Sequence, residues 1–251
     1  MTALSSDLVL SAFLVFCRIG GCLMLMPGVG GRHLPMQMRL FLALALALAF
    51  VPLVSGLVGP RLHGAEPATL LSMIGAEVIT GALIGLLARI YVQALQSLAV
   101  FIAQAIGVAT MPGLSVEDDA PQPTVATLFA FTATALIFLS DQHLELVRGL
   151  LESYRRVPPG SLFGLRPALV DVVDQLAAAF LLALRIASPF ILYAVVVNFA
   201  VGIINKFTPQ IPVYFIATPF VTAGGLILLY VSVEQLLAGF LTAFSQWLKA
   251  G

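Results

Sequence analysis

Charged residues are scarce in this sequence. Only 10% of its 251 residues are Asp, Glu, Lys or Arg, whereas 60% are hydrophobic, and soluble domains typically carry about 25% charged residues. With a mean hydropathy of +1.06, this composition excludes an ordinary soluble protein and predicts an integral membrane protein. The twelve basic and twelve acidic side chains cancel. Because there is neither a basic surface nor a nucleic-acid-binding motif, we expect no nucleic-acid partner.

Cysteine and histidine are also rare, which excludes the usual metal and disulfide frameworks. Cys17 and Cys22 lie close together inside the first apolar run, where we interpret them as small core residues. His33, His63 and His143 occupy three separate joints between apolar runs. We therefore predict no metal site and no other cofactor.

Motifs for catalysis are missing as well. The sequence contains no H-E-x-x-H, G-x-S-x-G, Walker loop or G-x-G-x-x-G. The acidic triplet at 117–119 could hold a magnesium diphosphate, but no second acidic motif accompanies it. Ser140, Asp141 and His143 are neighbours, yet adjacent residues at the start of a helix point in different directions. We therefore predict that the chain is not an enzyme.

Six long apolar blocks fill most of the chain. They cover residues 8–26, 36–57, 70–107, 124–140, 169–206 and 212–248, with Gly- and Pro-rich joints between them. A spanning helix needs about 20 residues, so the third, fifth and sixth blocks are nearly twice too long. Either each is two segments, which Ser188-Pro189 and Gly224-Gly225 would allow, or the helices extend beyond the bilayer into a protein complex. No Lys or Arg precedes Arg18, so we expect the first helix to be retained rather than cleaved as a signal.

Isolated charges inside these blocks favour the second explanation. They are Arg18, Glu77, Arg89, Arg185 and Glu234. A charge at the centre of a bilayer is costly unless it is paired or hydrated. An ordinary lipid-facing bundle does not accommodate five of them.

The third block also carries small and polar residues at every fourth position: Glu77, Gly81, Gly85, Arg89, Gln93 and Ser97. Residues spaced by four form one ridge of a helix, and small residues on such a ridge permit close helix approach. The ridge predicts a packing seam, with a lining for solutes as the alternative. Glu77 and Arg89 are too far apart on one helix to pair directly, so each needs another partner.

Two connections between the blocks have distinct patterns. Residues 107–124 favour a surface loop with an acidic turn, but the run 111–114 is more apolar than an exposed loop requires. Residues 141–156 alternate charged and apolar positions at helical spacing. They predict an amphipathic helix at the membrane interface or against a partner, with a solvated connector as the alternative.

The stretch from Asn198 to Phe220, NFAVGIINKFTPQIPVYFIATPF, holds an unusual concentration of polar residues and prolines. Pro209 lacks an N–H and disfavours helical geometry at Thr208, so a tight turn is predicted at 208–210. The result is a helical hairpin with a polar bend. Such a bend must be buried in protein or line a wet space, because unpaired polar backbone is not tolerated against lipid. This requirement predicts an assembly.

This stretch resembles the signature of the FliR family of flagellar export-gate proteins, called SctT in virulence type III secretion. The matching residues are Asn198, Lys206, Pro209, Gln210, Phe215 and Pro219. Residues 17–48 resemble the first hairpin of the family through Arg18, Pro27, Pro35 and Arg39. Residues 138–160 resemble its middle segment through His143, Ser153, Tyr154, Pro158 and Gly160. The resemblance covers nearly the whole chain in order.

The resemblance implies an all-α membrane fold of kinked helical hairpins in a single domain, residues 1–251. A FliP-like part, residues 1–168, would be joined to a FliQ-like C-terminal hairpin, residues 169–251. One copy would complete a helical ring of FliP-like and FliQ-like subunits. That multi-pass assembly would lie in the bacterial inner membrane and the flagellar basal body, beside FlhB-like and FlhA-like export components, and exported flagellar proteins would pass through it.

The resemblance also assigns roles to particular residues. The segment at about 107–123 matches the plug loop of the family, which implies a gate formed by Gly107, Met111, Pro112, Gly113, Leu114 and Val116. Subunit packing is expected at Asn198, Lys206, Pro209, Gln210, Pro219, Gly81, Gly85 and Arg89. Two departures are visible: the plug lacks the phenylalanines of the family, and Lys206 replaces the commoner Arg, which loses a bidentate hydrogen-bonding fork.

We therefore expect a structural and gating subunit of the flagellar type III export channel that helps to close its pore. FlhA and the export ATPase would supply the energy. One alternative is a small-solute secondary transporter that uses the five isolated charges, although the sequence shows no inverted repeat. The other is a gate subunit of a virulence type III system.

Overall fold

Nearly all of the chain is helical. The computed structural model describes residues 2–31, 34–62, 66–109, 112–113, 122–161 and 165–250. Within them the helices are α1 (Thr2–Leu25), α2 (Met36–Leu62), α3 (Pro67–Ala105), α4 (Thr124–Leu139), α5 (Gln142–Arg156), α6 (Leu165–Phe207) and α7 (Val213–Ala250). Two short strands, β1 (Pro112–Gly113) and β2 (Gln122–Pro123), lie between α3 and α4. The expected all-α fold is confirmed, and each apolar block forms one helix.

The three longest helices are continuous. They contain 39, 43 and 38 residues in α3, α6 and α7, which corresponds to roughly 57 to 65 Å at a rise of 1.5 Å per residue. The explanation by two segments is therefore wrong. In α6, Pro189 cannot donate to the carbonyl of Arg185, but the hydroxyl of Ser188 donates to that oxygen at 2.7 Å. The freed acceptor is satisfied locally, so the helix continues.

Helix α2 also extends past its predicted end, because it runs through Gly59 and Pro60 to Leu62. Pro60 removes one backbone hydrogen bond only two residues before the end of the helix. Val58 and Leu62 are buried in this last turn, and Arg61 Nη1 donates to the carbonyl of Pro159 at 2.6 Å. These contacts hold the turn in helical form.

The joint between α1 and α2 is closed by Arg39. Its Nε and Nη2 donate to the carbonyl of Leu34 at 3.1 and 2.9 Å, and Nη2 also donates to the carbonyl of Gly31. The backbone N–H of Gly30 donates to Met26 at 2.7 Å. One guanidinium therefore gathers the carbonyls that follow the end of α1.

The chain forms two compact units, each assembled from separated segments. The first contains Met1–Tyr91, Phe138–Leu176 and Leu248–Gly251, and the second contains Val92–Ile137 and Ala177–Trp247. In the first unit α1 packs against α2 and against the first half of α3. In the second, Phe190 of α6 is buried, as are Phe240 and Phe244 of α7. The predicted likeness of residues 1–168 to FliP and of 169–251 to FliQ concerns other subunits and stays a prediction.

The chain bends between α4 and α5. The bend lies at Asp141, which has a left-handed backbone conformation with φ of 57°. Helix α5 is amphipathic, as predicted: Leu146, Leu150 and Tyr154 are buried on one side, and exposed ion pairs join Arg148 to Glu145 and Arg155 to Glu152 on the other.

Candidate functional site

Helices α1 and α3 approach each other at backbone contact. A Cβ atom on Gly81 would overlap the carbonyl of Arg18, and one on Gly85 would overlap the carbonyl of Cys22. From the other side, a Cβ on Gly21 would lie 2.6 Å from the carbonyl oxygen of Val78. Glycine on both helices is what permits this approach. The predicted packing seam therefore has a partner inside the chain, and we call these contacts the α1–α3 seam.

An ion pair lies at one end of the seam. Arg18 Nε donates to Glu77 Oε2 at 2.7 Å, and Arg18 Nη2 donates to Glu77 Oε1 at 2.9 Å. The two side chains are 0% and 1% exposed. Two opposite charges that each lacked a partner in the sequence thus neutralise each other in a planar, two-point contact.

Residues from α5 and the turn after it complete this pair. Arg18 Nη1 donates to Ser153 Oγ and Nη2 to the carbonyl of Val157, both at 3.1 Å. Glu77 Oε1 accepts the backbone N–H of Gly160 at 3.1 Å. We call this group the buried Arg18 cluster. Because its members come from α1, α3, α5 and the following turn, it fixes four parts of the first unit to one another.

Tyr154 covers the cluster with its ring. The guanidinium carbon of Arg18 lies 4.0 Å from the ring centroid, a cation–π contact. The hydroxyl of Tyr154 is buried and has no hydrogen-bond partner within the part of the chain that the structure describes. Tyr154 therefore contributes its ring, rather than its oxygen, to the cluster.

Gly107 ends α3 by a Schellman motif. Its φ is +79°, its N–H donates to the carbonyl of Gln104 at 3.2 Å, and the N–H of Val108 donates to Ala103 at 2.9 Å. These are the two bonds that define the motif, with glycine at the left-handed position. The helix thus stops at a fixed point, where the predicted plug segment begins.

The two short strands of the predicted plug segment, β1 and β2, pair as an antiparallel ladder. Pro112 pairs with Pro123 and Gly113 with Gln122. The ladder joins the two described arms of the segment, on either side of residues 114–121. Met111, Leu114 and Val116, which complete the predicted gate, lie outside the described residues.

The predicted turn between α6 and α7 is confirmed. The N–H of Thr208 still donates to the carbonyl of Ile204 at 2.9 Å, and the N–H of Ile211 donates to Thr208 at 3.1 Å. Pro209 and Gln210 between them are exposed. The turn therefore presents its polar residues to the surroundings of the chain rather than to its core.

The surface around this turn is both polar and strongly apolar. Lys206 is exposed, and so is Asn198, whose Nδ2 donates to the carbonyl of Ala194 in its own helix. Large apolar side chains next to the turn are at least 47% exposed: Phe207, Ile211, Tyr214, Phe215, Ile216 and Phe220. Pro219 is exposed among them. We call this region the hairpin tip, residues 198–220.

The whole α6–α7 hairpin is poorly covered within the chain. In their most apolar stretches only 11% of the α6 residues and 6% of the α7 residues are buried, against 44% for α1. Lipid could cover apolar side chains of this kind, but not the charged and amide groups of the tip. The hairpin therefore has a surface that the chain itself does not complete.

Comparison with known proteins identifies the chain. The family described as bacterial export proteins, family 1, matches residues 9–247. The chain belongs to this family. The flagellar biosynthetic protein FliR of Caulobacter vibrioides is 30% identical over 226 residues, which cover 89% of this chain and 88% of the relative. The FliR protein of Aquifex aeolicus is 28% identical over 251 residues, covering 98% and 93%.

A relative from a virulence system is similar too. The Yop proteins translocation protein T of Yersinia pestis is 26% identical over 231 residues, which cover 90% of this chain and 86% of the relative. These names describe components of export and translocation systems, and none describes an enzyme. The resemblance to the FliR family is therefore confirmed, and the chain is a FliR component of a flagellar-type, or type III, export apparatus.

The helices of this FliR-family chain are those of a multi-pass membrane protein. In the described residues, five helices are long and apolar enough to cross a membrane: Leu8–Leu25, Met36–Leu62, Pro67–Ala105, Val172–Phe207 and Val213–Leu248. A sixth span results if the bent pair of α4 and α5 counts as one. The prediction of a membrane protein is confirmed.

Two of the five charges predicted for a solute site are used in an internal ion pair. Arg18 and Glu77 are buried and bonded to each other, which leaves no access for a solute. Arg185 and Glu234 are exposed on α6 and α7, and Arg89 is half-buried on α3. Together with the family, these positions favour the export component over the transporter.

Sequence reasoning missed the buried Arg18 cluster as a unit. Arg18, Ser153, Tyr154 and Gly160 were recognised only as separate points of the family resemblance, in two segments far apart in the chain. The available signal was the presence of single opposite charges in two apolar helices, since such charges need partners. Spacing along one helix could not show that the partner of Glu77 was on α1.

Proposed function

We propose that this FliR-family chain is a structural and gating subunit of the flagellar type III export channel. Its α6–α7 hairpin docks against FliP-like and FliQ-like subunits, and one copy completes their helical ring in the bacterial inner membrane. FlhB-like and FlhA-like components act beside it, with FlhA and an export ATPase as the energy source. Exported flagellar proteins pass through the assembly, and the segment 107–123 helps to close it.

The observation that carries the docking is the uncovered hairpin. Its two helices are far longer than the roughly 30 Å thickness of the hydrocarbon core of a bilayer, and its tip combines exposed Lys206 and Gln210 with exposed aromatic rings. Protein partners can satisfy both kinds of surface at once, because aromatic side chains are enriched in interface cores and the polar rim of an interface accommodates groups such as Lys206 and Gln210. A lipid environment satisfies only the apolar part.

The gating part is supported by how the plug segment is held. Gly107 stops α3 at a fixed point, and the ladder of Pro112–Gly113 with Gln122–Pro123 joins the arms of the segment. A loop with anchored ends can project from the fold without unravelling it. Its apolar residues, Met111 and Leu114 among them, are suited to seal a narrow lumen rather than to face water.

Deletion of residues 111–114 tests the gate. The variant is co-expressed with FliP-like and FliQ-like subunits, and the purified complex is reconstituted into vesicles whose ion permeability is measured. We expect an assembled complex that leaks small ions. Replacement of the same four residues by Gly-Ser-Gly-Ser keeps the length and should also leak, because the apolar seal is lost. Unchanged permeability in both assembled variants would exclude the gating role.

A further inference from the structure

Ile106, the residue just before the plug segment, packs against Gly225 of α7. A Cβ atom on Gly225 would lie 2.5 Å from both Cβ and Cγ2 of Ile106, and 3.1 Å from its Cα. Ile106 is fully buried, and Gly225 is buried as well. Distances this short leave no room for any side chain on Gly225. The end of α3 therefore lies directly on the backbone of α7.

Neighbouring contacts restrict the same place. The Schellman stop at Gly107 faces α7 too, since a Cβ there would lie 3.3 Å from Thr222 Oγ1. On the other side, Tyr193 of α6 donates its hydroxyl to the carbonyl of Val221 at 2.5 Å. Val221 is one helical turn before Gly225. Helix α6 thus holds the turn of α7 on which Ile106 and Gly107 lie.

We propose that Gly225 is a positioning residue for the gate: it seats Ile106 on α7 and thereby fixes where the plug segment leaves the fold. The inference rests on the proposed gating function and adds to it the element that sets the position of the plug. The α6–α7 hairpin, which faces the neighbouring subunits, and the plug then share one rigid contact. A displacement of α7 by those subunits shifts the start of the plug segment.

Substitution of Gly225→Ala in the co-expressed complex tests whether the contact between Gly225 and Ile106 positions the plug segment. The added methyl group displaces Ile106, so the backbone bonds of Gly107 and Val108 open more often. We expect amide hydrogen exchange at these two residues to accelerate by on the order of tenfold, together with a measurable ion leak in vesicles. Gly75→Ala is the matched control, because a Cβ at this glycine near the other end of α3 has nothing within 4 Å. It should change neither quantity.

A swap of the two residues shows whether the contact itself is responsible. In the double variant Ile106→Gly with Gly225→Ala, the clashing Cβ and Cγ2 atoms are gone. The effect of Gly225→Ala on exchange should therefore be smaller in the Ile106→Gly background than in the parent chain. Equal effects in the two backgrounds would overturn the proposal, because they would show that Gly225 acts on something other than Ile106.

The failure of this inference can be separated from the failure of the gate. One outcome is that the complex with residues 111–114 deleted leaks ions while the assembled Gly225→Ala complex shows neither an ion leak nor faster amide exchange at Gly107 and Val108. That result would support the gate and exclude the positioning role of Gly225. Faster exchange without a leak in either variant would support the positioning role and exclude the gate. If Gly225→Ala does not assemble, Ile106→Ala tests the contact from the other side. Unchanged exchange at Gly107 and Val108 in that variant would overturn the positioning role.

Discussion

Arg18 and Glu77 form a two-point ion pair that is closed to solvent, with N–O distances of 2.7 and 2.9 Å between α1 and α3. A pair of this kind is expensive to break, because removal of one partner leaves the other charge buried. Replacement of both partners by apolar side chains is much less costly. The cluster therefore makes the packing of the first unit dependent on both charges together.

Glu77→Ala should destabilise the protein by about 3–5 kcal/mol, because it leaves the guanidinium of Arg18 buried and unpaired. The measurement is the thermal stability of the detergent-solubilised protein. Glu66→Ala, the same substitution at an exposed position just before α3, is the control and should change stability little. The double variant Arg18→Met with Glu77→Leu should be more stable than Glu77→Ala alone. A double variant that is less stable than the single one would show that the unpaired charge is not the cause.

The α1–α3 seam gives a second prediction. Gly81→Ala places a methyl group on the backbone carbonyl of Arg18, and such overpacking costs about 1–3 kcal/mol or more. Gly75→Ala on the same helix meets nothing within 4 Å and should stabilise by about 0.5–1 kcal/mol, because alanine favours the helix. The measurement is the thermal stability of the two variants. A similar gain in stability in both would show that the helices do not touch at Gly81.

Apolar length and turn residues were enough to predict the helices, since both are local properties of the sequence. The predictions failed where side-chain contacts decide whether a helix continues. Gly59 and Pro60 look like a break, yet the helix continues because Val58 and Leu62 are buried and Arg61 reaches the carbonyl of Pro159. The alternative of a break at Ser188-Pro189 failed because the Ser188 hydroxyl supplies the hydrogen bond that proline lacks.

The candidate sites show the same limit. The turn at Pro209-Gln210 was predicted correctly, because it depends on residues that are adjacent in the sequence. The partner of Glu77 could not be found from the sequence, because Arg18 is 59 positions away and the ridge on α3 does not show which helix will lie on it. Gly107 was assigned to the gate by resemblance, and its structural role as the stop of α3 depends on a backbone angle that residue type alone does not fix.

Tyr154 provides a third prediction, which separates its ring from its hydroxyl. Tyr154→Phe keeps the ring over Arg18 and removes a buried hydroxyl without a described partner, so stability should stay the same or rise by about 1 kcal/mol. Tyr154→Leu removes the cation–π contact and should lower stability by about 1–2 kcal/mol. The measurement is again the thermal stability of the solubilised protein. A large loss in Tyr154→Phe would show that the hydroxyl has a partner in the assembled protein.

The hairpin tip gives the fourth prediction, which concerns assembly rather than stability. Pro209 and Gln210 are exposed and lie outside the core of the second unit, so the double variant Pro209→Ala with Gln210→Ala should leave the stability of the isolated chain nearly unchanged. The recovery of FliP-like and FliQ-like subunits with the tagged chain should fall by about tenfold, which corresponds to about 1.4 kcal/mol of binding free energy. Gln235→Ala, at an exposed position of α7 far from the turn, is the control for a general loss of surface polarity. Full recovery of the complex with the double variant would show that the tip does not dock against these subunits, and equal losses in the variant and the control would show that the effect is not specific to the turn.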